Sequence, residues 1–119
     1  MLELATKLYK AFINSCTGLH YAWRSQWSFR LEIIFLIFAL PLAFFITHNM
    51  IERLMLIGSI LLLPMIELIN SAIETTLDRI SREYHELSGY AKDMASAAML
   101  IASMNALVIW GFIIFEKFV

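Results

Sequence analysis

Residues 54–73 read LMLIGSILLLPMIELINSAI, twenty positions with one ionisable group, Glu67. A helix of that length rises about 30 Å, the thickness of a bilayer's hydrocarbon core, so the stretch reads as a membrane span. Two further apolar runs flank it, at 31–47 and 95–115. The first would be about 26 Å long as a helix, short for a crossing unless Arg30 and His48 snorkel at its ends. Pro41 and Pro64 fall inside runs, which membrane helices accept when another group satisfies the carbonyl that loses its donor.

Composition agrees. Of 119 residues, 61% are hydrophobic and 16% charged, with mean hydropathy +0.74, whereas a soluble domain carries about 25% charged residues. A soluble enzyme is excluded. The net charge of -1 offers no broad basic surface for phosphate backbones, so no nucleic-acid partner is expected. Cys16 is the single cysteine, which leaves no internal disulfide and reads as a small apolar residue on a helix.

In residues 1–29, Ala5, Leu8, Phe12, Cys16, Leu19 and Trp23 recur at three and four, the spacing of one helix face. Lys7, Lys10, Asn14 and Thr17 fall off that stripe. The pattern predicts an amphipathic helix in the membrane interface, anchored by Tyr21, Trp23 and Trp27. A cleavable signal peptide is not expected, because lysines interrupt the apolar run. The expected fold is therefore all-α, a single membrane domain over 1–119. It comprises a surface helix (1–29), transmembrane helices at 31–47, 54–73 and 95–115, and a loop at 78–93.

Lys7, Lys10, Arg24 and Arg30 precede the first span, and Arg79, Arg82 and Lys92 lie between the second and third. Only Arg53 and Lys117 fall on the other side. The positive-inside rule then places the N-terminus and the second loop in the cytoplasm. The third span opens with Ala95, Ser96, Ala97 and Ala98 and continues through Ala102 and Ser103, small residues that let helices approach closely in lipid. Three short spans enclose little interior, so self-association is expected as well.

The chemistry is concentrated. Six of the ten acidic residues, Glu67, Glu74, Asp78, Glu83, Glu86 and Asp93, lie between positions 67 and 93. Glu67, Asn70, Ser71, Glu74 and Asp78 follow helical spacing, so one helix carries them along a single stripe. Glu67 lies about 16 Å along the axis from Asp78, at a depth where an unpartnered carboxylate costs at least ~2.5 kcal/mol. The plainer reading of the stripe is a polar seam that sets helix register in an oligomer. The functional one separates two tasks: a shallow carboxylate holds a divalent cation, and the deep one takes a proton from a lipid hydroxyl. A Gly-rich phosphate loop and a protein-kinase catalytic loop are both absent, and His85-Glu86 lacks the second histidine of a helical zinc site.

The run Glu67-Leu68-Ile69-Asn70-Ser71-Ala72-Ile73-Glu74, followed by Leu77-Asp78-Arg79-Ile80, resembles the prokaryotic diacylglycerol kinase family. So does the stretch Glu83-Tyr84-His85-Glu86-Leu87-Ser88-Gly89 with Ala91-Lys92-Asp93-Met94 and Ser96-Ala97-Ala98. Weaker similarity runs through Gly18-Leu19, Ala22-Trp23, Phe29-Arg30 and Glu32, so essentially the whole chain is covered. The resemblance implies a homotrimer with three spans per subunit and active sites shared between subunits. It would phosphorylate diacylglycerol with MgATP to give phosphatidic acid in the bacterial cytoplasmic (inner) membrane. It further implies Glu67 as general base, Glu74 as the ligand of Mg2+, and ATP contacts from Glu83, Tyr84, His85, Lys92 and Asp93. Asn70 and Ser96 match positions used around the lipid substrate, with Ser71 and Asp78 in support.

Four departures stand out. Gln26 occupies the position of the family's second metal-binding glutamate. Lys7 and Asn14 stand where arginine and tyrosine would meet the nucleotide, and Tyr90 replaces an arginine after Gly89. Lys7 keeps the charge without the bidentate fork, and Gln26 offers the metal a neutral oxygen. Glu32 is a possible substitute carboxylate, though its spacing from Gln26 turns it elsewhere on a helix. Two rival functions follow: an undecaprenol kinase of the same family, from which Glu86-Leu87-Ser88-Gly89 differs, and an oligomeric ion channel or proton carrier.

Overall fold

The computed structural model describes all 119 residues. It is entirely helical: α1 (Leu2–Ser25), α2 (Trp27–Ile46), α3 (Met50–Ile80) and α4 (Glu86–Phe118). The last three are long and apolar enough to cross a membrane. Each runs beyond its apolar stretch, because backbone hydrogen bonds continue past the point where side chains turn polar. The sharpest consequence falls on the expected loop at 78–93. Asp78 to Ile80 complete α3 and Glu86 to Asp93 open α4, leaving only Ser81 to His85 outside a helix.

Local chemistry sets the breaks. Gln26, extended at φ −116° and ψ 108°, ends α1 and starts α2, and its N–H still donates to Ala22 at 2.8 Å. Asn49 caps α3 by accepting the Glu52 N–H at 3.0 Å, and His85 Nδ1 caps α4 by accepting the Leu87 N–H at 3.1 Å. These side chains satisfy donors that the first helical turn leaves free. Pro41 and Pro64 sit within unbroken helices; neither has an N–H for the carbonyl four residues earlier, Ile37 and Ile60 respectively.

α3 is the central helix, packed against both α2 and α4. Ala95, Ala102 and Ala106 are buried on α4, so the small-residue face is used within the chain to bring α4 close to α3. The helices meet at the end opposite the Ser81–His85 connector, where Ala43, Ile46, Leu56 and Ile113 form the apolar cluster. Polar ties reinforce it. Thr47 Oγ1 donates to Glu52 at 2.7 Å, Lys117 pairs with the same carboxylate at 3.3 Å, and Arg53 donates to the carbonyls of Thr47 and Phe44. Trp110 Nε1 reaches Leu56 O at 3.2 Å and Ser59 Oγ at 3.1 Å, joining α4 to α3 through bonds that hydrocarbon cannot replace. On α1 only Ala22 is buried, and Leu8, Phe12, Leu19 and Trp23 are all exposed. The amphipathic stripe is thus free for a membrane surface, as its pattern predicts.

Candidate active site

One stripe of α3 carries the expected carboxylates. Glu67 is 7% exposed and Ser71 6%, an unusual burial for polar groups within a membrane-crossing helix. Ser71 Oγ donates to Glu67 Oε1 at 3.4 Å, a long bond that leaves most of the carboxylate's accepting capacity free. Toward the connector, Asn70 Nδ2 donates to Glu74 Oε1 at 3.4 Å. The other end of that amide, Asn70 Oδ1, is buried with no partner. At the water-side end, Lys92 of α4 pairs with Asp78 of α3 at 3.4 Å, both about half exposed. Depth therefore orders the groups: buried Glu67, half-buried Glu74, then an exposed ion pair.

Glu32 is the residue that spacing alone underrated. It stands on α2, half-buried, and its Oε2 is buried without a partner. Gln26 is extended and lies outside α2, so spacing from it does not fix where Glu32 faces. α2 packs on α3, so the face that matters is the one turned toward Glu67. Arg30 stands nearby with an unpartnered buried Nε and its guanidinium 5.7 Å from the Trp27 ring.

Hollows adjoin the stripe at Ser71 and at Asn70, and another lies under the connector. A cleft of about 620 Å³ between α1 and α3 is lined by Gly18, Tyr21, Gln26, Ser71 and Thr75 among others. Gln26 and Ser71 share it, so the departure at Gln26 faces the same space as the hydroxyl that holds Glu67. The hollow under the connector, about 340 Å³, is lined by Ser81, Glu83, Tyr84, His85 and Ser88. The Tyr84 ring lies across Gly89, 3.5 Å from where a Cβ would project. Asp93 and Ser96 are exposed on the first turns of α4, and Lys7 and Asn14 are exposed on α1. Within a single chain the side chains of Lys7 and Asn14 make no hydrogen bond or ion pair with the other expected site residues.

A family model described as prokaryotic diacylglycerol kinase matches residues 13–114. The chain belongs to the prokaryotic diacylglycerol kinase family. It is 42% identical to the diacylglycerol kinase of Escherichia coli K12 over 113 residues, 95% of this chain and 93% of the relative. It is also 42% identical to that of Haemophilus influenzae over 110 residues, 92% and 93% of the two chains. The Pseudomonas aeruginosa enzyme matches at 40% over 100 residues, 84% and 81%. In this diacylglycerol kinase family member, the matched span takes in α2 and α3 entirely and the polar stripe from Glu67 to Asp93.

The Mg2+ that the family implies was tested against the donor set. No three acidic, histidine or cysteine side chains close round one point. Glu74 offers a carboxylate, and the adjoining Asn70 Oδ1 is an orphaned oxygen acceptor. Hard, oxygen-only donors of this kind suit Mg2+, which keeps waters and substrate phosphates as its other ligands. The residues fit the ion as partial, not complete, holders.

Proposed function

We propose that this chain is an ATP-dependent lipid kinase that transfers the γ-phosphate of ATP to the hydroxyl of diacylglycerol, giving phosphatidic acid and ADP. The observation that carries the reading is the depth order of Glu67, Glu74 and the Asp78–Lys92 pair on one stripe. A membrane-resident alcohol presents its hydroxyl below the headgroups, where Glu67 is buried, while a nucleotide approaches from water, where Lys92 lies.

Glu67 accepts the hydroxyl proton as the alcohol oxygen attacks the γ-phosphorus and the bond to the β,γ-bridging oxygen breaks toward ADP. Ser71 orients the carboxylate. Glu74, steadied by Asn70, and Gln26 would hold Mg2+, which would supply neutralisation of phosphate charge. Lys92 offsets charge on the nucleotide, with Glu83, Tyr84, His85 and Asp93 about the hollow under the connector. Positioning and charge neutralisation supply most of the catalysis in phosphoryl transfer, so a small set of residues suffices. Lys7 and Asn14, unbonded to the other site residues within one chain, join the nucleotide across a subunit boundary in a homotrimer with shared sites. The N-terminus and the connector face the cytoplasm, in the bacterial inner membrane.

The test is transfer from labelled ATP in mixed micelles, with diacylglycerol and undecaprenol offered side by side, with and without Mg2+. Label in phosphatidic acid supports the assignment. Preference for undecaprenol would move the protein to the isoprenoid branch of the family, and no transfer to either alcohol would leave the ion-carrier reading.

A further inference from the structure

Asn105 is exposed in the middle of α4, with no hydrogen-bond partner in the chain. Ala102 and Ala106, on either side of it in sequence, turn toward α3; Asn105 does not. In α4's most apolar stretch only 17% of residues are buried, so the surrounding surface is free. A carboxamide facing hydrocarbon loses its water partners without replacement, and membrane helices resolve this by hydrogen bonding to another helix.

A complementary group lies at the same level on α2. Pro41 has no N–H for the Ile37 carbonyl, and both residues are exposed on α2, Ile37 at 60%. The other proline-freed carbonyl, of Ile60, belongs to a residue 1% exposed and is out of reach. The contacts already described fix the levels. Thr47 is tied to Glu52, so Ile37, about 15 Å up α2, stands level with Leu62 on α3. Trp110 is tied to Leu56 and Ser59, so Asn105, about 7.5 Å up α4, stands level with the same part of α3. α2 and α4 both pack on α3, and the donor and acceptor are not joined within one chain.

We infer that Asn105 is a docking residue for a second copy of this chain, its side-chain amide donating to the Ile37 carbonyl that Pro41 leaves free. A donor on α4 and an acceptor on α2 make a head-to-tail contact, the kind that forms a ring where the rotation between copies closes. The inference rests on the self-association proposed above and is independent of the phosphate-transfer chemistry.

A double-variant cycle on the full chain in detergent micelles tests it, with sedimentation as the readout. Asn105→Leu removes the donor, and Pro41→Ala returns a backbone N–H to the Ile37 carbonyl. Each single variant is expected to raise the subunit dissociation constant about 3- to 15-fold, the range that interhelical hydrogen bonds give in membrane proteins. The double variant is expected to dissociate no more readily than the weaker single one. Additive effects would place the two residues in separate contacts and overturn the pairing. An oligomer unmoved by Asn105→Leu would overturn the inference while leaving the homotrimer intact, and a chain monomeric throughout would overturn both. In a Cys16→Ser background, mixing chains carrying Asn105→Cys with chains carrying Ile37→Cys should give a disulfide-linked pair. Cross-linking of the Asn105→Cys chain to itself alone would put Asn105 opposite its own copy and refute the contact.

Discussion

Ser71 Oγ donates to Glu67 Oε1 across 3.4 Å, one turn along α3, and this is the single hydrogen bond the buried carboxylate makes within the chain. The carboxylate is held in direction and still open to a further donor. That combination suits a group that must receive a proton from an incoming hydroxyl, and it distinguishes Glu67 from Glu52, whose carboxylate is taken up by Thr47 and Lys117 at the opposite end of α3.

Glu67→Gln is expected to lower turnover about 100-fold or more, because the amide keeps the size and the Ser71 contact but cannot accept the proton. Helix content and oligomer size should match wild type. Initial rates of labelled phosphate transfer, with circular dichroism on the same preparations, check this; a near-native rate in a folded variant would remove Glu67 as base.

Glu74→Ala should shift the Mg2+ titration to higher concentration, since a charged oxygen ligand is lost and Asn70 Nδ2 loses its acceptor. Chelation should abolish transfer in wild type. Activity plotted against free Mg2+ at fixed ATP reads both effects, and superimposable curves for the two proteins would take Glu74 out of the metal site.

Gln26→Glu should act in the reverse sense. Gln26 lines the cleft that also holds Ser71, and a carboxylate there would add ligand charge for a hard cation. The expected result is a lower Mg2+ requirement or a lower KM for MgATP, with lipid saturation unchanged. An unaltered titration would mean that Gln26 serves only as the break between α1 and α2.

Trp110→Phe tests the packing instead of the chemistry. It deletes the indole N–H that bonds Leu56 O and Ser59 Oγ while keeping an aromatic ring beside the apolar cluster. A loss of about 0.6–1.7 kcal/mol is expected in denaturant unfolding, the range for interhelical hydrogen bonds in membranes. Transfer by the folded fraction should be unchanged, since Trp110 lies at the opposite end of α3 from Glu74.

The apolar runs, the lysine and arginine placement and the stripe from Glu67 to Asp78 were all readable as pattern, because helical periodicity and the length a bilayer requires are properties of the chain read in order. Thus the sequence alone determined an all-helical membrane protein with three spanning helices, and it singled out Glu67, Asn70, Ser71, Glu74 and Asp78 as one face. The limits of the helices were less legible: polarity from Asp78 to Asp93 suggested a loop, yet α3 and α4 persist through most of it, since adding a residue to a helix already started costs little when its side chain is a fair helix former. Tertiary structure alone decided that Ala95, Ala102 and Ala106 pack inside the chain against α3, and that Glu32 Oε2 is buried without a partner. It also showed that Gln26 shares a cleft with Ser71 while Lys7 and Asn14 make no bond to the other site residues within one chain. The reason is that such relations depend on which faces of different helices meet, and spacing along one helix carries no information about its neighbour.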